Sequence, residues 1–341
     1  MDLDSRKEIV FFYESIRANP NGDPGFDNHP RMYPDNTVMV TDVRIKRTIR
    51  DHAKRASDGK DVIFVDYADD GKPIEADGRA KEILEKHDGW SAKKTLTSDD
   101  AGKVISGLLR KTFDVPLFGA LVTIRAGKDS GKKESGSAQI TGPCQFGMGK
   151  SVNEADVITA QIAGRFVGDS SKGRETTLGT YSVIDYALIK TVATINPANL
   201  ELPKIEGRLG GGDKGKKAVE EIRANFDDAE SRLLQYLWAG TNGLVSRSKF
   251  QQRSVLAVEV EYDRSYGDLD TLIGASDTKS PKEHATDLSD IEFDFGRLVS
   301  TLKDRADHVR GVRIACDPRL DGPVKAAAGG IPKAEKVDLN G

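Results

Sequence analysis

EIVFFYESI (residues 8–16) predicts the first strand of the fold, because the run is rich in aromatic and β-branched residues. The loop NPNGDPGFDN (residues 19–28) follows, and its density of proline, glycine, Asn and Asp predicts an irregular backbone. TDVRIKRTIRDHAKR (residues 41–55) then predicts a helix with Thr41 as its N-cap. Loops between rigid elements often carry binding residues. Residues 19–28 are therefore a candidate functional loop, although a surface connection without function is the simpler interpretation.

The rest of the chain alternates strands and helices with polar segments. Further strands are predicted at 61–67, 115–124, 181–195, 254–262 and 309–316, and the clearest amphipathic helix at 218–240. This order predicts an α+β fold with a ferredoxin-like core, in one domain over residues 1–317. Insertions into that core are predicted near 68–102, 125–138, 164–180 and 264–292, of which 125–138 is a mobile loop, and residues 318–341 are predicted to form a flexible tail.

The composition is that of a polar globular protein. The chain has 341 residues, 37% hydrophobic and 31% charged, and a formal net charge of −3, so a nucleic-acid partner would have to meet a local basic patch. Cys144 and Cys316 lie far apart, and buried thiols are a simpler interpretation than a disulfide. The polar N-terminus and the lack of a long apolar run predict a cytoplasmic protein without a membrane partner.

The common catalytic and metal-binding motifs do not fit. GGGDKGKK (210–217) has Lys217 where a phosphate-binding loop needs Ser or Thr, and CQFGMGKS (144–151) begins with Cys144 instead of glycine. The five histidines are scattered without the spacing of a zinc site, and no nucleophile motif is recognisable. No cofactor, no metal and no catalytic residue is therefore predicted.

Residues 41–55 carry a local excess of positive charge. Six basic residues stand against two acidic ones, an excess of four. The basic residues that share one helical face, opposite the Ile45–Ile49 stripe, are Lys46, Arg47, Arg50 and Lys54. Like charges at these spacings repel by roughly 0.2–0.5 kcal/mol per pair, which a phosphate backbone along the face would offset. A solvated helix face is the alternative interpretation.

A second basic stretch, LVSRSKFQQR (244–253), precedes a predicted strand. It alternates cations with hydroxyl and amide donors, a pattern that suits contacts to phosphate and sugar better than contacts to bases. A polar loop that leads into an edge strand explains the same residues equally well.

Taken together, these segments resemble a known family. The order NPNGDP, N-x-P-R (Asn28 to Arg31), VTDVRIKRTIRD, LFGA (117–120), ITGPCQFGMGKSVN and SRSK resembles the Cas7 family, the repeated backbone subunit of type I CRISPR surveillance complexes. The resemblance runs from about residue 8 to about residue 262. The Csh or Csd branch is nearest, and T-G-P-x-Q-F and R-S-K favour subtype I-B. Cys144 departs from the pattern, since an apolar branched residue is usual there.

The resemblance implies a fold and a set of partners. The fold would be a modified RRM-like palm with a finger or web near 68–102 and a thumb near 164–180. Several copies would polymerise along one CRISPR RNA, grip its backbone and present its spacer for pairing with target DNA. In such complexes the guide RNA recognises the target sequence by base pairing, and the protein binds the RNA backbone. The other Cascade subunits, namely Cas5, Cas6 and the large and small subunits, would be further partners.

The resemblance also assigns candidate RNA-binding residues. In the basic helix these are Lys46 and Arg50 first, then Thr41, Arg44 and Arg47. In and after the N-terminal loop they are Asn19, Asn21, Gly22 and Arg31, with the amides expected to face the phosphates. The remaining candidates are Lys150, the thumb residues Arg165, Phe166 and Arg174, and Arg247, Ser248, Lys249, Gln252 and Arg253 in the second basic stretch.

A catalytic alternative stays open at this point. Relatives in type III complexes carry a target-RNA-cleaving aspartate in the corresponding N-terminal loop, and Asp23 and Asp27 lie there in this chain. A metal-dependent RNA endonuclease is therefore a second hypothesis. Aspartates between turn residues are more often turn formers, so a non-enzymatic protein is the leading prediction.

Overall fold

A computed structural model describes residues 2–67, 74–91, 100–124, 136–164, 177–279 and 283–340. Its strands are β1 (Arg6–Ile16), β2 (Gly22–Asp23), β3 (His29–Pro30), β4 (Thr37–Val40), β5 (Gly119–Ile124), β6 (Gly136–Thr141), β7 (Cys144–Phe146), β8 (Gly149–Glu154), β9 (Val157–Gly164), β10 (Thr177–Ile184), β11 (Tyr186–Ile195), β12 (Gln252–Tyr262), β13 (Gly274–Asp277), β14 (Ile291–Asp294), β15 (Val309–Cys316) and β16 (Ala334–Lys336). Its α-helices are α1 (Asp42–Ala56), α2 (Ala76–Asp88), α3 (Ala101–Lys111), α4 (Val115–Phe118), α5 (Leu202–Arg208), α6 (Gly212–Asn242), α7 (Leu269–Leu272), α8 (Gly296–Asp304) and α9 (Asp321–Ala328).

The central sheet is built around β1. Its strand order is β16-β15-β12-β1-β11-β8-β4, and β7 also pairs with β11. The pairing is antiparallel except between β15 and β16, so the sheet is mixed. Phe11 and Phe12 in β1 point to opposite faces and both are buried. A strand that is apolar on both sides needs cover on both faces, and the predicted α+β class is confirmed.

Each face of the sheet has its own apolar core. Helices α1 and α6 cover one face, where Ile49 and Leu237 belong to the same core as Phe11. The other face is covered by the chain between β12 and β15 and by the C-terminal segment, with Leu298 and Val324 in the same core as Phe12. The sheet therefore lies between two apolar layers.

The segments predicted as insertions contain helix α2 and the β9–β10 hairpin among their described residues. Residues 76–88 form α2 where a polar segment without helical periodicity was expected, because Ala80, Ile83 and Leu84 are buried there. The strands β9 and β10 pair as a hairpin whose connecting residues 165–176, the core of the predicted thumb, lie outside the described residues. The same holds for 125–135 of the predicted mobile loop. The division into a palm and insertions stays a prediction.

The flexible tail predicted at 318–341 is wrong for the residues up to 340. Helix α9 packs Val324 against the second core, and β16 pairs with β15 in parallel. Leu339 is buried in the first core, next to the hydrogen bond from Trp238 Nε1 to Asn340 Oδ1. The sequence pattern misled because this segment buries single apolar residues spread along a short helix and extended chain, which gives no clear periodicity.

Candidate nucleic-acid interface

The N-terminal loop is fastened to the start of α1. The side-chain oxygen of Asn21 accepts hydrogen bonds from Thr41 N at 2.8 Å and Thr41 Oγ1 at 2.9 Å. Thr41 Oγ1 in turn accepts from Arg44 N at 3.4 Å, which confirms the predicted N-cap. Loop residues 19–28 and the first turn of α1 therefore form one rigid unit at the end of β1.

The expected orientation of the loop amides is wrong. Asn19 and Asn21 are both buried, and Asn19 Nδ2 donates to Asn28 O at 2.6 Å and to Ser182 O at 3.3 Å. A Cβ atom on Gly22 would lie 3.0 Å from Asn28 O, so the close approach of the two loop arms favours glycine there. The Asn19 and Asn21 side chains form hydrogen bonds within the protein, and Gly22 lets the two loop arms approach each other. These three residues therefore hold the loop together.

The basic face of α1 is neutralised by carboxylates. Each of its four cations has a partner within 3.1 Å: Lys46 with Asp42, Arg47 with Asp51, Arg50 with Asp114 and Lys54 with Asp66. The two first-choice residues, Lys46 and Arg50, have side chains only 11% and 10% exposed. The prediction that they form an open basic face is therefore wrong, because Asp42 pairs with Lys46 one turn away on the helix and Asp114, distant in sequence, pairs with Arg50.

Arg44 and Lys249 differ from those four cations. Within the described ranges no carboxylate lies at ion-pair distance from either of them. Burial lowers the pKa of the Arg44 guanidinium. Burial, and secondarily the charge of Arg44, lowers the pKa of Lys249 to about 8. Two neighbouring cations that are partly desolvated and lack an anion form a site that an incoming anion would stabilise.

The surroundings of this pair add hydrogen-bond donors. Lys249 Nζ donates to Asn19 O at 2.7 Å, which directs the ammonium to the loop. Gln252 Nε2 is a buried donor without a partner, and Gln252 lines a small cavity together with Arg44 and Tyr13. We call Arg44, Lys249 and Gln252 the donor cluster. It unites two of the predicted segments, the start of α1 and residues 244–253, at one end of β1 and β12.

The rim of the donor cluster is aromatic and basic. The guanidinium of Arg247 lies 5.2 Å from the ring centroid of Tyr181, whose hydroxyl donates to Arg247 O at 3.0 Å. Ser248 O accepts from Asn19 N, so the 244–251 loop is fixed to the N-terminal loop. Arg247 is exposed, and its donors face solvent at the base of the β9–β10 hairpin.

The other predicted residues are more dispersed. Lys150 pairs with Asp35 at 2.6 Å and lies 5.3 Å from the ring of Tyr33, away from the donor cluster. Arg31 pairs with Asp23 at 3.0 Å. Arg253 is 61% exposed at the start of β12. Arg165, Phe166 and Arg174 lie outside the described residues.

The structure also shows one exposed arginine, at the end of β1, that the sequence patterns did not single out. Arg17 directly follows β1, is exposed, and adopts a left-handed backbone with φ of 46°. Such a conformation in a residue other than glycine is strained and is often found at functional sites. The only sequence signal was a cation directly before the Ala18-Asn19 loop entry, which is too weak to distinguish it from a solvated arginine.

The two aspartates of the N-terminal loop differ in their contacts. Asp23 Oδ1 accepts from Gly25 N and from Arg31, both at 3.0 Å. Asp27 is exposed in a left-handed turn conformation with φ of 46°. Within the part of the chain that the structure describes, no three His, Cys, Asp or Glu side chains are grouped to hold a metal ion. These contacts give the Asp23 carboxylate a structural role.

The fold and the site together define a class of protein. It is a mixed α+β protein whose sheet faces are covered and whose desolvated cations collect at a strand end, beside two loops. Among the described residues, no helix is long and apolar enough to cross a membrane.

Comparison with known proteins identifies the family. The profile of the family described as CRISPR-associated protein Cas7 matches residues 5–296. CRISPR-associated protein Cas7 of Haloferax volcanii is 28% identical over 335 residues, which cover 93% of this chain and 88% of that protein. The chain belongs to the Cas7 family, as its motif order predicted.

Two solved structures are also similar. A chain of a "CRISPR RNA-guided surveillance complex, pre-nicking" gives a TM-score of 0.46 at 12% identity, covering 98% of this chain and 97% of that chain. A chain of a "CRISPR RNA-guided surveillance complex" gives 0.42 at 11% identity, covering 98% and 95%.

Proposed function

We propose that this chain is a non-catalytic CRISPR RNA-binding backbone subunit that grips the sugar-phosphate chain with its donor cluster. The observation that carries the proposal is the Arg44–Lys249 pair, two neighbouring cations with pKa values lowered by burial and no carboxylate partner in the described ranges. A phosphodiester supplies the anion that the pair lacks, and Gln252 supplies a neutral donor beside it. Family membership makes RNA the expected polyanion.

The sheet supports an RRM-like palm. The order β1, α1, β8, β11, α6, β12 is the β-α-β-β-α-β succession of ferredoxin-like folds. In an RRM the sheet face stacks bases on aromatic side chains. Here the face opposite α1 and α6 is covered, and its aromatic residues Phe12, Tyr186 and Tyr262 are buried. RNA bound by this chain would therefore be held by its backbone at the strand ends, with its bases left free.

Family membership supports a proposal for the wider assembly. Several copies would line one CRISPR RNA in a helical filament in the cytoplasm and present its spacer for pairing with target DNA. The β9–β10 hairpin, which projects beside the donor cluster, would be the thumb. Cas5, Cas6 and the large and small subunits of a Cascade complex, of subtype I-B, would complete the particle.

The test uses two double variants with the same change in charge. Arg44→Gln with Lys249→Gln removes both cations of the donor cluster, whereas Lys204→Gln with Lys336→Gln removes two exposed cations elsewhere, each paired with a carboxylate. Binding of a labelled single-stranded RNA is measured by anisotropy over a range of salt concentrations. For the cluster variant we expect weaker binding and a slope of log K against log salt that is shallower by about 0.7 per lost contact. The control variant keeps the slope.

Equal losses in the two variants would contradict the proposed site. A second measurement addresses catalysis: the wild-type protein, bound to a guide, is incubated with complementary RNA and magnesium or manganese. We expect the RNA to stay intact. Cleavage that disappears on Asp23→Ala or Asp27→Ala would instead establish the metal-dependent endonuclease.

A further inference from the structure

A fully buried carboxylate lies at the same end of β1 as the donor cluster. The side chain of Glu14 is 0% exposed. A buried carboxylate is costly unless a cation and hydrogen bonds compensate it. Two arginines are available. Arg253 is the register partner of Glu14 on β12, and Arg319 comes from the C-terminal segment.

Arg319 makes the closer contact with Glu14. Its NH2 donates to Glu14 Oε1 at 2.7 Å and its NH1 to Oε2 at 3.3 Å, so both carboxylate oxygens are engaged. Its Nε and NH2 also donate to Asp317, at 2.8 Å and 3.0 Å. One guanidinium therefore compensates two carboxylates.

Arg253 is left with its donors open to solvent. Its NH1 lies 4.0 Å from Glu14 Oε1, and its side chain is 61% exposed although it faces Glu14 across the strand pair. Arg253 is next to Gln252 of the donor cluster, so their Cα atoms are about 3.8 Å apart. Successive strand residues project to opposite faces. Arg253 therefore lies on the sheet face opposite Gln252, one residue along the start of β12 from the donor cluster.

The charge count explains why Arg253 stays free. The four groups Glu14, Asp317, Arg253 and Arg319 sum to zero. Without Arg319 the sum is −1, and two carboxylates would compete for the one remaining guanidinium. A guanidinium engaged by two carboxylates in a partly buried setting is no longer available to a phosphate.

We propose that Arg319 is a positioning residue for RNA binding: it neutralises Glu14 so that Arg253 stays available to contact a phosphate next to the donor cluster. The C-terminal segment that carries Arg319 thereby becomes a component of the RNA interface without touching RNA. This inference rests on the proposed function, because it assumes that the polyanion at this strand end is RNA.

The experiment measures the affinity of a labelled single-stranded RNA, and its salt dependence, for the full chain and for point variants. We expect Arg253→Gln to make the salt slope shallower by about 0.7, the value for one phosphate contact. Arg319→Gln gives the same change, and combining the two substitutions adds nothing further. Adding Glu14→Gln to Arg319→Gln restores the wild-type slope, because the charge sum returns to zero and Arg253 is released.

Restoration by Glu14→Gln is the outcome that a merely structural role of Arg319 would not produce. An Arg319→Gln variant that keeps the wild-type slope, or one that Glu14→Gln fails to rescue, would overturn the inference. If Arg319→Gln does not fold, the comparison is between Glu14→Gln and Glu14→Gln with Arg319→Gln, where no buried charge is left uncompensated at position 14. Equal affinities support the inference, and a weaker double variant would show that Arg319 itself contacts RNA and overturn it.

The two proposals fail in different ways. Wild-type protein that does not bind RNA would refute the proposed function. RNA binding that is lost with the donor cluster but unaffected by Arg253→Gln would refute only the inference about Arg319.

Discussion

Arg50→Gln separates a structural arginine from an RNA-binding one. Asp114 is completely buried and accepts from Arg50 Nε at 2.8 Å, from Phe64 N at 2.8 Å and from Val65 N at 3.1 Å. The substitution leaves a buried carboxylate with only the two backbone donors. Breaking a buried ion pair by removing one partner destabilises a protein by about 3–5 kcal/mol. Since domains are stable by about 5–15 kcal/mol, we expect Arg50→Gln to lose a large share of the free energy of unfolding.

Urea denaturation followed by circular dichroism measures this loss. Arg50→Gln with Asp114→Asn should recover much of it, because an amide in place of the carboxylate removes the uncompensated charge. Arg44→Gln is the matched control on the same helix. Arg44 has no carboxylate partner in the described ranges, so we expect its removal to weaken RNA binding while the free energy of unfolding stays unchanged or rises.

The opposite pattern would refute this reasoning. If Arg50→Gln keeps wild-type stability and loses RNA binding, its guanidinium serves RNA and the buried pair contributes little. If Arg44→Gln unfolds the protein at lower urea and binds RNA normally, the assignment of the donor cluster is wrong.

Two further predictions concern pH and the C-terminal segment. The pKa of Lys249 is about 8 in the folded protein, against about 10.4 for an unperturbed lysine. Because bound RNA requires the charged form, we expect affinity to fall by up to about tenfold between pH 7 and pH 9, as measured by anisotropy, and Lys249→Gln to remove this dependence. In the free protein, burial of the charged lysine lowers the free energy of unfolding, and this penalty is largest below pH 8. The penalty should decline as the pH rises above 8, because the folded protein then holds the lysine uncharged. Urea denaturation at several pH values would detect this change. Deleting residues 318–341 should lower the free energy of unfolding and make the chain sensitive to limited proteolysis, because Leu320, Val324 and Leu339 are buried, whereas a flexible tail would be dispensable.

The sequence predicted the elements unevenly: residues 61–67 form no strand, and the predicted strand 115–124 begins as helix α4 before β5. The first strand, the N-cap at Thr41 and the amphipathic helix were found, although α6 begins at Gly212, six residues before the predicted start at 218. The glycine and lysine run at 210–217 hid that start, because glycine is a poor helix former. Helix α2 was missed since its flanking residues are acidic and polar, and burial of three apolar side chains decides its conformation.

The candidate site could be predicted only in part. Sequence reasoning found the segments that meet, but it placed the wrong cations first. Lys46 and Arg50 stand out in a net charge count because such a count does not show which cation each carboxylate pairs with: Asp42 pairs with Lys46 within the helix, and Asp114, the partner of Arg50, lies far away in sequence. Arg44 and Lys249 are distant in the chain, and nothing in either segment shows that folding brings them together without a carboxylate. Pairing across the fold, which decides which charges remain available, is not encoded in a local pattern.

Binding of a polyanion does not need a broad positive surface. A chain with a formal net charge of −3 can still hold a polyanion if a few cations lack partners where the polyanion passes. Arg44 and Lys249 are already partly desolvated in the free protein, so the cost of removing water from them falls on folding and not on binding. Donors that are fixed before the ligand arrives bind more tightly than mobile surface cations, because less conformational entropy is lost on association. Because the sheet face is covered, the donors near the end of β1 and β12 are the ones placed to contact a polyanion. A subunit built in this way would bind the backbone of an RNA and leave its bases free to pair.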